Sequence, residues 1–338
     1  MTDRATHLAQ FIAASGWQDA ARTTVAGDAS NRRYDRLTMP AGNTAILMDA
    51  PPDKGEDVRP FVRIARFLRT QGLSAPAVLA QDESHGFLLL EDLGDDLFAR
   101  VIPRDASLEL PLYEAATDVL IALHKATPPA LAPYDADTMT PLAALAFDWY
   151  QVGATGTLQT AEKSAFTAAF HAALAPLDAT PSVLIQRDYH AENLLWLPQR
   201  DGIARVGLLD FQDAMAGHPA YDLVSILQDA RRDVPAEIEA QMIARYIAAN
   251  PQDATEFARA YALLGLQRNL RILGVFARLC IRDGKAHYVD LIPRVWGHIQ
   301  TNLKHPDVAP LANLLAGLPA PDAETLNRIK SQCATPPS

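Results

Sequence analysis

The sequence predicts an α+β fold in two lobes: a small antiparallel-sheet lobe over residues 1–92 and a large, mostly helical lobe over 93–338. Three observations predict it. Short apolar, β-branched runs alternate with Gly, Asn and Pro turns over 21–90, apolar residues recur at helical spacing from about 106 onward, and one strand-rich island at 182–209 interrupts the helices. At roughly 150 residues per domain, a chain of 338 residues has room for both lobes.

The elements follow in order. Leu8, Phe11 and Ile12 make 4–15 an amphipathic helix that stops at Gly16. Strands are expected at 22–26, 32–38 and 44–49, separated by Gly27 to Asn31 and by the turn Pro40-Ala41-Gly42-Asn43. A helix over 58–70 puts Phe61, Ile64 and Leu68 on one face and ends at Gly72, and strands at 77–81 and 87–90 flank Ser84-His85-Gly86. Beyond Glu91-Asp92-Leu93-Gly94, helices are expected at 106–126, 140–151, 161–174, 219–230, 236–249, 254–279 and 286–303. The island holds strands at 182–186, 193–197 and 205–209 in one hairpin-like unit, and the Pro-, Ala- and Ser-rich tail after about 318 is expected to be peripheral.

Composition narrows the function. With 49% hydrophobic and 21% charged residues, the chain can bury a sizeable core. Thirty basic against forty acidic residues give a formal charge of -10, which opposes generic binding to nucleic acid or to an anionic membrane surface. No apolar run reaches membrane-span length, and Met1-Thr2-Asp3-Arg4 lacks a cationic region followed by an apolar stretch, so no secretory leader is expected. A cytoplasmic, monomeric protein is the expectation. Two cysteines, Cys280 and Cys333, are too few for a disulfide framework and are expected to be a buried thiol and a loose tail thiol.

The island carries the chemistry. Gln186-Arg187-Asp188-Tyr189-His190-Ala191-Glu192-Asn193 leaves one strand and enters the next, and Asp210-Phe211 ends a third. An Asp five residues before an Asn means little alone, but this placement resembles the H-R-D-x-x-x-x-N catalytic loop and D-F-G metal loop of the protein-kinase-like fold. Phosphoryl transfer needs a carboxylate to take the acceptor's proton, and a carboxylate plus an amide oxygen to hold Mg2+ against nucleotide phosphates. The resemblance gives Asp188 the first role and Asn193 and Asp210 the second, with ATP and Mg2+ as cofactors.

The segment Gly217-His218-Pro219-Ala220-Tyr221-Asp222-Leu223 is similar to the G-x-P-x-x-D-L segment of the aminoglycoside phosphotransferase family, and the likeness covers most of the chain. Only eleven residues separate Asp210 from Asp222, too few for the activation segment of a protein kinase. A small-molecule acceptor is therefore expected. Asp222 reads either as a structural support of the catalytic loop or as a helix N-terminal charge. In this family the loop between the first two strands covers the nucleotide, which implies contacts at Asp28, Ala29, Ser30, Asn31, Arg32 and Arg33; the backbone of Glu91 and Leu93 would bracket the adenine.

One departure is plain: the third strand, Ala45-Ile46-Leu47-Met48-Asp49, lacks the family's phosphate-binding lysine. The following helix carries Arg59, Arg63, Arg66 and Arg69 and no acid, so these arginines read either as an inverted pair, Arg63 or Arg66 with Asp49, or as a solvated face. Charge for the phosphates then falls to Arg32, Arg33 or Lys54, the only lysine among the first hundred residues. Gln186 for the catalytic-loop His and Gln212 for the metal-loop Gly leave a nucleotide-binding pseudokinase as an alternative.

Gly27-Asp28-Ala29-Ser30-Asn31-Arg32-Arg33-Tyr34, Met48-Asp49-Ala50-Pro51-Pro52 and Phe147-Asp148-Trp149-Tyr150 are similar to the anomeric N-acetylmuramate/N-acetylglucosamine kinases of bacterial cell-wall recycling. That likeness implies ATP-dependent phosphorylation of the C1 hydroxyl; an aminoglycoside or choline-like alcohol is the alternative acceptor. Residues 256–294 carry seven basic and three acidic residues, a net of +4 inside an acidic chain, which either suits an acidic sugar better than a polycationic aminoglycoside or is spread round two helices in solvent. Gln267, Arg268, Arg271, Asp148, Trp149, Tyr150 and His190 are candidates for the sugar site, with helix-core packing the alternative for Trp149 and Tyr150 and a loop-bracing bond for His190.

Overall fold

A computed structural model of the chain describes residues 4–27, 31–250 and 253–334. The helices and strands run α1 Arg4–Ala14, β1 Ala21–Gly27, β2 Arg33–Thr38, β3 Thr44–Asp49, α2 Arg59–Thr70, β4 Val78–Asp82, β5 Phe87–Glu91, α3 Phe98–Arg104 and α4 Glu109–Leu123. After these come α5 Ala136–Ala143, α6 Val152–Thr155, α7 Thr160–Leu174, β6 Val183–Ile185, β7 Leu194–Trp196, β8 Val206–Leu208 and β9 Met215–Gly217. The chain closes with α8 Ala220–Leu227, α9 Ala236–Ala249, α10 Ala254–Ile281, α11 Ile292–Asn302 and α12 Ala323–Ser331. Among the described residues no helix is long and apolar enough to cross a membrane.

Contacts group the chain into two compact units, Met1–Leu123 with Ala191–Ala214, and His124–His190 with Met215–Ser338. This partition differs from a single cut near residue 92. The reason is visible in the backbone: Leu208 N–H donates to the Ser74 carbonyl at 3.0 Å and Trp196 N–H to that of Asp96 at 2.8 Å, so the β7–β8 hairpin packs with the first strands and helices.

In the first unit the sheet is antiparallel in the order β1-β2-β3-β5-β4. Ile46 pairs with Leu90 and Arg33 with Asp49. Alternation sends Leu37, Leu47, Phe87 and Leu89 to one face, where Leu8, Phe11 and Ile12 of α1 cover them. Helix α2 buries Phe61, Val62, Ile64, Ala65 and Leu68 on a single stripe, each large side chain contributing about 1.5–3 kcal/mol of transfer energy. It starts with Pro60 in its first turn and is followed by Gly72 at φ 78°, the left-handed conformation that a helix stop favours.

In the second unit α10 is the central element, 28 residues buried on most of its circumference. Asp253 caps it, accepting from the N–H groups of Thr255 at 2.8 Å and Glu256 at 3.0 Å. Gly274 lets the chain at Leu145 approach so closely that a Cβ there would lie 2.3 Å from the Leu145 carbonyl carbon. Near that crossing the helix expected over 140–151 is instead α5, a wide-turn segment over 146–151, and α6.

Three expectations change. The island is not one hairpin unit: β7 pairs with β8, whereas β6 pairs with β9, a strand too short to show in the pattern. The tail is not peripheral, because α12, capped by Asp322, buries Ile329 completely. Nor is the tail thiol loose: Ala334 N–H donates to the Cys280 carbonyl at 3.1 Å, and the Cys333 thiol lies against that of Cys280, which burial pushes up to about 12.

Candidate active site

Two clusters carry the sequence's candidate chemistry, one in each unit. In the second unit the chain leaves β6 at Gln186 and turns sharply. Arg187 takes φ 71°, a left-handed conformation that a non-glycine residue holds only when its surroundings enforce it. Asp222, in the first turn of α8 and fully buried, supplies the enforcement: its carboxylate accepts the N–H of Gln186 at 2.6 Å and of Arg187 at 2.9 Å. Ser225, one turn on, donates its hydroxyl to the Arg187 carbonyl at 3.2 Å. Burial pushes the Asp222 carboxyl up to about 7, with the two N–H groups pulling the other way.

The turn sets Asp188 among cationic side chains. Burial opposes its charge, but Arg271, His190, Arg268 and Arg187 together outweigh burial and hold Asp188 below the ordinary aspartate value. Arg268 is 3% exposed. Burial drives His190 down to about 4, so its ring is neutral at pH 7. Tyr134 and Tyr221, whose hydroxyls are 3.1 Å apart, lie beside Arg271. Sequence reasoning missed both tyrosines, since nothing in their spacing separates them from core aromatics.

In the first unit Asn193 and Asp210 converge from the ends of β7 and β8. Leu209 N–H donates to the Asn193 carbonyl at 3.0 Å, and the Asn193 amide approaches the Asp210 carboxylate at 3.5 Å. Asp210 sits at φ 56°, and Gln212 donates to its other oxygen at 2.7 Å. Phe211 is buried against Phe61 of α2, ring centroids 4.9 Å apart, which anchors the turn. A carboxylate and an amide oxygen are hard donors of the kind Mg2+ takes when phosphates and water complete its shell. Among the described residues there is no group of three or more Asp, Glu, His or Cys that would bind a metal unaided. The donor set fits a metal that arrives with a polyphosphate.

The same two residues line a cavity of about 350 Å³ in the first unit, walled by Val25, Tyr34, Ile46, Leu90, Leu93 and Leu195. Apolar walls with a few polar groups suit a flat heterocycle. Glu91 and Leu93 both line it. The Glu91 side chain is engaged by Arg200 at 2.6 Å and Arg69 at 3.2 Å. Arg36, also on the wall, is clamped between Asp92 at 2.6 Å and Asp95 at 2.9 Å.

The remaining candidates scatter. Asp28, Ala29 and Ser30 lie outside the described residues. Asn31 N–H donates to Glu56 at 3.1 Å, Arg32 pairs with the same carboxylate at 3.2 Å, and Arg33 turns to Asp35 at 3.2 Å. The inverted pair is not formed: Asp49 is ion-paired with Arg4 of α1, and Arg66 donates to Gln81 at 2.9 Å. Asp148 pairs with Lys163 at 2.5 Å, and Tyr150 is fully buried with its hydroxyl on the Pro319 carbonyl at 2.7 Å, so these serve packing between helices; Trp149 beside them is half-buried. Gln267 is buried and donates to the Met139 carbonyl at 3.0 Å. Gln186, in the position of the catalytic-loop His, is buried with neither side-chain polar atom bonded.

A profile of the phosphotransferase enzyme family, APH, matches residues 22–261. The N-acetylmuramate/N-acetylglucosamine kinase of Caulobacter vibrioides is 41% identical over 347 aligned positions, covering 92% of this chain and 95% of that protein. A kinase of the same name from Pseudomonas aeruginosa is 34% identical over 330 positions, covering 92% and 94%. Among solved structures, the ADP-bound aminoglycoside phosphotransferase APH(2'')-Ib superposes with a TM-score of 0.59 at 14% identity, over 89% of this chain and 98% of that one. At that identity the superposition shows the fold alone, which is kinase-like.

Proposed function

The chain belongs to the APH phosphotransferase enzyme family and is a kinase with an alcohol acceptor, and from that premise we propose that it uses ATP and Mg2+ to phosphorylate the anomeric C1 hydroxyl of N-acetylmuramate and N-acetylglucosamine. The product is the sugar 1-phosphate of peptidoglycan recycling, made by a cytoplasmic monomer that needs neither nucleic acid nor membrane. The observation that carries the reading is Asp188, held ionised and cradled by Asp222, in a chain alike over nearly its whole length to kinases named for these two sugars.

Each residue then has a task. Asp188 accepts the C1 hydroxyl's hydrogen and receives the proton as the oxygen attacks phosphorus. Asp222 keeps the Arg187 turn in place so that the Asp188 carboxylate is aimed before substrate arrives. Asn193 and Asp210 would hold Mg2+, which when bound neutralises charge on the nucleotide phosphates. The adenine takes the apolar cavity, where the Glu91 carbonyl and the Leu93 amide bracket it, since the Glu91 carboxylate is already paired. Asp28, Ala29, Ser30, Asn31, Arg32 and Arg33 cover the phosphates, with Arg32 the cation that stands in for the missing lysine because Glu56 orients it. In this reading residues 1–92 cover the nucleotide, and 93–338 carry the catalytic loop, the metal loop and the sugar site with His190, Gln267, Arg268 and Arg271.

A coupled assay of ADP release tests the proposal with each sugar, and with kanamycin and choline as controls. Release stimulated by the two N-acetyl sugars supports it. Release stimulated only by kanamycin or choline, or by no acceptor, refutes it.

A further inference from the structure

The cavity that Asn193 and Asp210 line has Pro76, Leu90, Glu91 and Leu93 on one wall, around the end of β5, and Leu195 and Leu209 of the β7–β8 hairpin on another. A single side chain that does not line the cavity ties these two walls together. Arg200, in the turn between β7 and β8, donates from Nη2 to the Glu91 carboxylate at 2.6 Å and from Nη1 to the Ser74 hydroxyl at 2.6 Å. Ser74 returns the link to the hairpin: its hydroxyl donates to the Ala204 carbonyl at 2.6 Å, and its carbonyl accepts the Leu208 N–H at 3.0 Å.

The Glu91 end is held as firmly. Its second carboxylate oxygen accepts the Ala77 N–H at 3.1 Å and Arg69 at 3.2 Å, while the Glu91 N–H donates to the Ala77 carbonyl at 2.8 Å. An exposed ion pair contributes little, but this one is half-buried and runs into Ser74, which is buried. Packing repeats the tie, since a Cβ on Gly207 of β8 would lie 3.2 Å from Leu93 Cδ1, which places Leu93 directly on the hairpin. Arg69 supplies a contrast within the same cluster. It shares Glu91, but its other bond goes to the Ala75 carbonyl at 3.1 Å, on the strand side of the link, so it does not bridge to the hairpin.

Resting on the reading that the Glu91 carbonyl and the Leu93 amide bracket the adenine, we propose that Arg200 is a positioning residue that sets the base selectivity of the nucleotide site. By anchoring the Glu91 side chain to the hairpin it fixes the backbone of 91–93 against the base. Adenine offers its 6-amino group to the Glu91 carbonyl and its N1 lone pair to the Leu93 amide. Hypoxanthine reverses both, with an oxygen at C6 and a hydrogen on N1, so a backbone held in place leaves two polar groups unpaired against it. A backbone released from its anchor shifts to relieve the mismatch and discriminates less.

The experiment compares kcat/KM for ATP and for inosine triphosphate, with saturating N-acetylmuramate, in the wild type, Arg200→Gln, Arg200→Lys and Arg69→Gln. The wild type is expected to prefer ATP by at least about 30-fold, the scale of two unpaired polar groups. Arg200→Gln should shrink that preference by about tenfold, the scale of one charge-assisted hydrogen bond, with Arg200→Lys between, since it keeps a bond to Glu91 alone. Arg69→Gln should change the preference by less than about threefold, because it leaves the hairpin link intact. A merely structural loss lowers both rates equally, so an unchanged preference in Arg200→Gln overturns the proposal, as does an equal loss of preference in Arg69→Gln. If Arg200→Gln does not fold, Arg200→Lys and Ser74→Ala decide, and an unchanged preference in both contradicts the proposal. Equal wild-type rates with the two nucleotides, or turnover of neither, remove the reading of the adenine bracket and this inference together, whereas a wild-type preference that survives in Arg200→Gln removes this inference alone.

Discussion

The carboxylate of Asp222 accepts the backbone N–H of Arg187 at 2.9 Å, and Arg187 stands at φ 71°. One buried acid thus fixes the backbone immediately before the candidate base. Because burial raises Asp222 from 3.8 towards about 7, the native state binds a proton that the unfolded chain has released in that window. The stability contributed by this site is complete below 3.8 and falls as pH rises to about 7. Asp222→Asn cannot titrate, and its amide accepts only one of the two N–H groups well, for a cost of about 1–3 kcal/mol. Denaturant unfolding of both proteins across this range should show the wild type's margin over the variant shrinking as pH rises; a constant margin would show that Asp222 does not titrate there.

Asp188 behaves oppositely. Its value is lowered from 3.8, so the base is ionised throughout neutral pH and is lost only as pH falls through that lower value. The pH profile of kcat/KM should carry no acid limb from Asp188 between about pH 5 and about pH 8. Asp188→Asn removes the proton acceptor and should lower kcat at least about a hundredfold while leaving nucleotide binding measurable by calorimetry. A variant within about tenfold of wild type would take the base role from Asp188.

Asp210 and Asn193 are the only protein donors offered to the metal in the proposed mechanism. Asp210→Ala should reduce turnover at least about a hundredfold, and Asn193→Ala should raise the Mg2+ concentration needed for half-maximal rate by about tenfold. Chelation of divalent cations should stop the wild-type reaction and added Mg2+ restore it. Turnover that persists in excess chelator contradicts both assignments.

Gly274 gives a test of the fold. In an exposed helix, Gly→Ala stabilises by about 1 kcal/mol, but here the new methyl would meet the Leu145 backbone at 2.3 Å. Backbone cannot step aside as a side chain does, so Gly274→Ala should destabilise the protein by about 3 kcal/mol. Thermal unfolding followed by circular dichroism reads the sign directly.

How much of this was legible follows from distance along the chain. Asp188, Asn193, Asp210 and Asp222 fall within 35 residues among short apolar strands, so the likeness to the catalytic and metal loops of the family was legible, as were the two local clusters, Asp188 with Asp222 and Asn193 with Asp210. The strands of the first unit were legible too, because Gly and Pro residues mark the turns between neighbours in sequence, but the pairing of β3 with β5 was not, since α2 and β4 lie between them. The Arg4 to Asp49 pair was not: the residues are 45 apart and the nearer arginines of α2 looked better placed. The β6 to β9 pairing was hidden because a three-residue strand has too little alternation to register. Helix α12 was hidden because composition marked its surroundings as a tail, while its cap, Asp322 on the N–H of Thr325, depends on one hydrogen bond. The cationic bias of α10 was visible as a sum, but which arginines turn inward is decided by the rotation of a helix packed on several faces.

The most direct test is phosphorus NMR of the protein mixed with Mg-ATP and N-acetylmuramate or N-acetylglucosamine, beside the Asp188→Asn variant. The account predicts a new phosphate resonance split by the anomeric proton, growing as the γ-phosphate of ATP disappears, and absent from the variant on the same timescale. ATP unchanged with both sugars, or a phosphate resonance coupled to any other proton of the ring, would contradict it.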